Sequence, residues 1–149
     1  MKNLIIGASM AAIAALSAVS VSAESHDPVA GRIAMMKANG AAAGAIGKMV
    51  QGETPFDAAV ALQSITAMRD IAAGFGDMFP EGSETGPGSS ANTTIWSDRA
   101  GFDAALAKYL TDTQAGVDAA PQSVEELGTA FGAIASNCRA CHQTYRIPR

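Results

Sequence analysis

Thiol and imidazole side chains are few in this chain: its 149 residues include two cysteines and two histidines. A structural zinc site needs four ligands. The four residues available are His26, Cys138, Cys141 and His142, with His26 more than a hundred positions from the rest, which excludes such a site. β-Branched runs are missing too. Strand signals are therefore weak, and the βαβ pattern expected of a thioredoxin-like dithiol protein is absent. There is no basic cluster: ten Lys and Arg face fourteen Asp and Glu, a formal charge of −4, so nucleic acid is excluded as a partner. No constellation of acid, base and nucleophile points to an enzyme.

What the chain does have is Cys138-Arg139-Ala140-Cys141-His142, followed by only seven residues. Two thiols one helical turn apart can each form a thioether to a haem vinyl group, and the adjacent imidazole reaches the iron from one face. The pentapeptide therefore reads as a covalent haem c site, one haem per chain, with His142 as proximal iron ligand. Because so little follows it, any sixth iron ligand must come from residues earlier in the chain.

Met1-Lys2-Asn3 carries one positive charge and leads into an apolar stretch rich in Ala and Ser that ends at Val21-Ser22-Ala23. Residues 1–23 read as a secretory signal peptide, with small residues at both cleavage-determining positions. Serines dilute the stretch and no basic stop-transfer cluster follows, so no membrane insertion is expected after processing. The mature chain, 24–149, is long enough for one domain. Without Lys2, nine Lys and Arg stand against fourteen Asp and Glu, a charge of −5, which favours redox partners with positive docking patches.

Four helices follow from periodicity and caps. Asp27-Pro28 is an N-cap with Pro at the first helical position, and Val29, Ile33, Met36, Gly40, Ala43, Gly47 and Val50 recur in steps of four and three, which predicts a helix over 28–51. Thr54-Pro55-Phe56-Asp57 resembles a capping box for a second helix, with Leu62, Ile65, Met68, Ala72 and Phe75 on its apolar face, ending before Phe79-Pro80. Residues 80–93 hold turn formers without periodicity and read as a long loop. Ser97 is the expected cap of helix three, with Phe102, Leu106, Tyr109 and Gly116 inward, and Ser123 that of helix four, whose stripe runs through Leu127, Phe131, Ile134, Cys138, Cys141 and Tyr145. The expected fold is an all-α antiparallel four-helix bundle enclosing the haem. Gly40, Gly44 and Gly47 suit either tight helix packing or clearance for the haem.

In such a bundle the end of helix four lies beside the start of helix one. Met36, ~12 Å along its helix, comes level with His142, whereas Met49 at ~30 Å is too far. Met35, Met36, Met68, Met78 and His26 remain as candidates for the sixth position.

Together, Arg32, Pro55-Phe56-Asp57, Phe79-Pro80-Glu81-Gly82-Ser83-Glu84, Ile95-Trp96-Ser97-Asp98 and the haem motif with Tyr145-Arg146 resemble the class II cytochromes c, the family of cytochrome c prime and its low-spin relatives. The resemblance spans the mature chain. It implies that Met36, four residues after Arg32, faces the distal side of the haem and acts as the sixth ligand, as in the low-spin members. It also implies that Arg32 pairs with a propionate, that Ser83 and Glu84 contact the haem, and that Arg146 flanks its proximal face. Ile33 departs from the polar residue often found there. The implied function is periplasmic electron transfer, with a homodimer through helices one and two among the expectations. The alternative is a high-spin five-coordinate protein that binds NO or CO.

Overall fold

The computed structural model describes residues 27–148; the expected signal peptide, 1–23, and His26 lie outside them. The described residues form five α-helices: α1 (Pro28–Val50), α2 (Ala58–Gly74), the single turn α3 (Thr94–Ser97), α4 (Arg99–Ala119) and α5 (Val124–Tyr145). A 3₁₀ turn, Phe75–Met78, tightens the end of α2. The four long helices close a ring in which α2 packs on α1 and α4, α4 on α5, and α5 on α1. This is the expected antiparallel four-helix bundle. No strand occurs among the described residues, apart from one isolated antiparallel bridge between Ala91 and Arg146.

The caps explain where each helix starts. Asp27 Oδ1 accepts from Val29 N at 2.9 Å, with Pro28 at the first helical position, and Ser123 Oγ accepts from Glu126 N at 3.2 Å. Two expected caps move. Asp57, in extended conformation, caps α2 by accepting from Ala59 N and Val60 N, so Thr54 lies outside the helix. A carboxylate is the better acceptor at a helix N-terminus, where the backbone dipole is positive. Asp98 likewise caps α4, accepting from Gly101 N, while Ser97 closes the one-turn α3.

Ile46, Met49, Ile65, Met68, Leu127 and Ile134 build the main core. Gly116 lets α4 close on both neighbours, since a Cβ there would stand 3.0 Å from Ile134 Cδ1 and 3.1 Å from Ile65 Cγ2. A second cluster at the other end gathers Phe75, Phe79, Trp96, Phe102 and Tyr145 in edge-on pairs with ring centres 4.9–5.7 Å apart.

One expectation about α1 changes. Its protein-buried positions are Val29, Arg32, Asn39, Ile46 and Met49, whereas much of the apolar stripe foreseen in the sequence, Ile33, Met36, Gly40 and Ala43, lines a cavity instead. The stripe is a real face of the helix, divided between that cavity and the two apolar clusters, against which Ala43 and Met36 also pack.

Asp57→Ala should cost about 1 kcal/mol, the usual value of a lost N-cap, and Thr54→Ala less than about 0.5 kcal/mol. Urea unfolding midpoints of the two variants check the reassigned cap.

Candidate haem site

A cavity of about 560 Å³ opens at the end of the bundle where α5 terminates. This is an ordinary size for a site that encloses most of a small organic molecule. One wall is the α1 stripe, with Met36 on it. The α4 wall carries Phe102, Leu106 and Tyr109, and the α5 wall carries Asn137, Cys138, Cys141, His142 and Tyr145. Loop residues 88–91 form a rim, with Arg146 beside them.

Cys138 and Cys141 are half-buried free thiols on the cavity wall. Burial raises the pKa of both, and at Cys141 the neighbouring Cys138 adds to it. Burial and then the Arg146 charge lower that of His142. The imidazole is thus favoured in its neutral form, the form that donates to a metal.

Arg32 is 4% exposed and ties α1 to the loop. Its Nη2 donates to Ser83 O and Ser89 Oγ, both at 2.8 Å, and Nη1 to Met78 O and Ser83 Oγ, both at 3.3 Å. The guanidinium lies over the rings of Phe79 and Trp96, 5.0 and 5.6 Å from their centres. Burial lowers its pKa while Asp27 and Glu84 raise it; guanidinium stays charged regardless. No described carboxylate forms an ion pair with it, and its buried Nε has no partner. A buried cation with a spare donor beside an apolar cavity fits a flat apolar cofactor that carries carboxylates, as haem does.

The structure brings Cys138, Cys141, His142, Met36, Arg32 and Arg146 to this one cavity. Ser83 and Glu84 stand behind it: Ser83 holds Arg32, and Glu84 accepts from Gly82 N at 3.0 Å. Of the glycines on α1, Gly40 lines the cavity, and a Cβ at Gly40 or Gly44 would meet nothing within 4 Å, so neither is needed for tight packing. Trp96 anchors the loop, its Nε1 donating to Pro80 O at 3.0 Å.

Sequence reasoning missed the polar lining. Tyr109 Oη donates to Asn39 Oδ1 at 2.7 Å across the bundle, and burial, with a smaller contribution from Cys138, pushes the phenol pKa well above its ordinary value. Asn39 sits three residues after Met36, a spacing that places both on one helix face; that was the available signal. The tie between Asn92 N and Tyr145 O, at 3.0 Å, and between Ile147 N and Ser90 O, at 2.9 Å, pins the rim to the chain just beyond the motif and left no local pattern to read.

The cytochrome c' family model matches residues 27–146. The chain belongs to that family. A cytochrome c-556 of Agrobacterium fabrum is 39% identical over 118 residues, 79% of this chain and 80% of that protein. A cytochrome c' of Rhodopseudomonas palustris is 33% identical over 126 residues, 83% of this chain and 84% of the relative. A solved structure of cytochrome c' from Rhodopseudomonas palustris superposes with a TM-score of 0.79 at 32% identity, covering 83% of this chain and 98% of that one. The cofactor is the family's covalent haem c with its iron, and the family's members are haem cytochromes rather than conventional enzymes. Among the described residues, no helix is long and apolar enough to cross a membrane.

Arg32→Met should destabilise the holoprotein by about 3 kcal/mol, as expected when several hydrogen bonds to a buried charge are lost. Amide exchange at Ser83 and Ser89, whose N–H groups donate within the loop, should speed up about tenfold or more. Hydrogen-exchange mass spectrometry or NMR measures it.

Proposed function

We propose that the protein is a periplasmic electron carrier whose haem is attached through Cys138 and Cys141, with His142 and Met36 as axial ligands of the iron. The observation that carries this reading is the place of Met36, on the α1 wall of the cavity whose α5 wall bears His142. Met35, Met36 and Met78 all pack against the aromatic cluster, but of the methionines within reach Met36 alone lines the cavity, and Met68 is enclosed in the main core.

When bound, the haem supplies one-electron Fe(III)/Fe(II) chemistry. The Met36 thioether is a soft donor that favours the ferrous state and so raises the potential. The walls formed by Phe102, Leu106 and the α1 stripe exclude water. Arg32 Nε and the Arg146 guanidinium are donors suited to propionate carboxylates, with Ser83 and Glu84 holding the Arg32 loop from behind. Apolar side chains make up most of the cavity lining, which supports transfer of electrons rather than turnover of a substrate. The exported location rests on the signal peptide read in residues 1–23, and a homodimer on the exposed Val50 and Val60 at the α1–α2 end.

The competing reading is a five-coordinate high-spin protein that binds NO or CO; the similarity to proteins named cytochrome c' favours it. Absorption spectra decide between them. The wild type should be low-spin in both oxidation states and indifferent to CO. Met36→Ala should become high-spin and bind CO readily. An unchanged low-spin spectrum in the variant would remove Met36 as the ligand.

A further inference from the structure

In the ring of four long helices, α1 and α4 stand across from each other, each packing on α2 and α5. Among the described residues a single side-chain hydrogen bond spans that diagonal, from Tyr109 Oη to Asn39 Oδ1 at 2.7 Å. Both residues are 8% exposed and both line the haem cavity. The bond commits the amide oxygen of Asn39 to the phenol. Its Nδ2 is left with its N–H donors, and no acceptor among the described residues meets them. Asn137 and Tyr145, also buried in the lining, differ in this respect: they donate to Asp112 Oδ2 at 2.6 Å and Asp98 Oδ2 at 2.9 Å.

A buried donor in a mostly apolar enclosure destabilises the protein unless something held in the cavity accepts from it. The carboxylates of haem suit Arg32 and Arg146, and the rest of the macrocycle's edge is hydrocarbon. Sulfur is the acceptor that remains. Cys138 is on the α5 wall, whereas Met36 is on the α1 wall with Asn39, three residues before it on the same face, a spacing that puts Cβ atoms about 5–6 Å apart. Helical side chains lean toward the N-terminus of their helix, so the Asn39 amide extends over the turn that carries Met36. A thioether bound to a metal keeps one lone pair, and that pair can accept an N–H.

We infer that Asn39, oriented by Tyr109, is a positioning residue that donates from Nδ2 to the Met36 sulfur and so sets how strongly the sixth ligand donates to the iron. This rests on the electron-carrier reading, in which Met36 is that ligand. A hydrogen bond draws electron density from the sulfur, which weakens its donation to ferric iron more than to ferrous iron and raises the potential. Tyr109 fixes which end of the amide faces Met36.

The test is the midpoint potential of the purified holoprotein by spectroelectrochemistry, with the absorption spectrum as the record of spin state. Asn39→Leu alone strands the Tyr109 hydroxyl in the core. It is therefore made beside Asn39→Leu/Tyr109→Phe, in which both partners become apolar together and little stability is lost. Both variants should stay low-spin and move the iron's preference toward ferric by about three- to tenfold, tenfold being about 59 mV for one electron. Tyr109→Phe alone keeps the donor but lets the amide turn, and its potential should fall between those of the double variant and the wild type. The sign separates this role from a packing role. A pocket that simply becomes less polar disfavours the charged ferric haem and raises the potential. A potential that is unchanged or raised in a low-spin double variant overturns the role of Asn39 and leaves Met36 as the ligand. A high-spin wild type overturns both.

Discussion

The haem end of this molecule is organised by one buried positive charge. Taking a guanidinium out of water costs several kcal/mol unless acceptors replace its hydration. Arg32 on α1 finds those acceptors in the carbonyls of Met78 and Ser83 and the hydroxyls of Ser83 and Ser89. Met78 ends the 3₁₀ turn Phe75–Met78, and Ser83 and Ser89 belong to the irregular segment that follows it, so satisfying the charge draws that loop onto α1. Phe79 and Trp96 pack over the same guanidinium, and Phe79 in turn meets Phe75 and Phe102 edge-on. The rim of the cavity is thus built outward from Arg32.

The bundle has two unequal halves. In one, aliphatic residues from all four long helices interlock around Ile46, Ile65, Leu127 and Ile134, each with no exposed surface. In the other, the helices stand off from one another and their apolar faces turn to a cavity whose lining also carries Asn39, Tyr109 and Asn137. A buried polar group must be hydrogen-bonded or it destabilises the fold, and these three are: Tyr109 bonds Asn39, and Asn137 reaches Asp112 on α4 at 2.6 Å. The second bond braces the residue just before Cys138, so the start of the haem motif is held to α4 as well as to its own helix.

Much of the architecture was legible in order of residues. Helix-period stripes marked the four long helices, and Asp27-Pro28 and Ser123 marked the starts of α1 and α5, because caps and amphipathic faces are local properties. The Cys138–His142 motif announced a haem for the same reason: its chemistry needs two thiols one turn apart and an adjacent imidazole. Thr54 and Ser97 were less informative, since each precedes an aspartate able to accept the same backbone hydrogens more strongly. The stripe of Ile33, Met36, Gly40 and Ala43 was legible as a face, but not what it faces. Periodicity reports which side of a helix avoids water and is silent on whether protein or cofactor lies opposite.

The amino-acid order by itself determined the helices, their succession and the covalent haem site. Tertiary structure decided that Arg32 is enclosed by a distant loop, that Met36 shares a cavity with His142 while Met35 and Met78 do not, and that Tyr109 reaches Asn39. Those outcomes depend on contacts between residues tens of positions apart, whose distances are set by how four helices close a ring and by nothing encoded within any one of them.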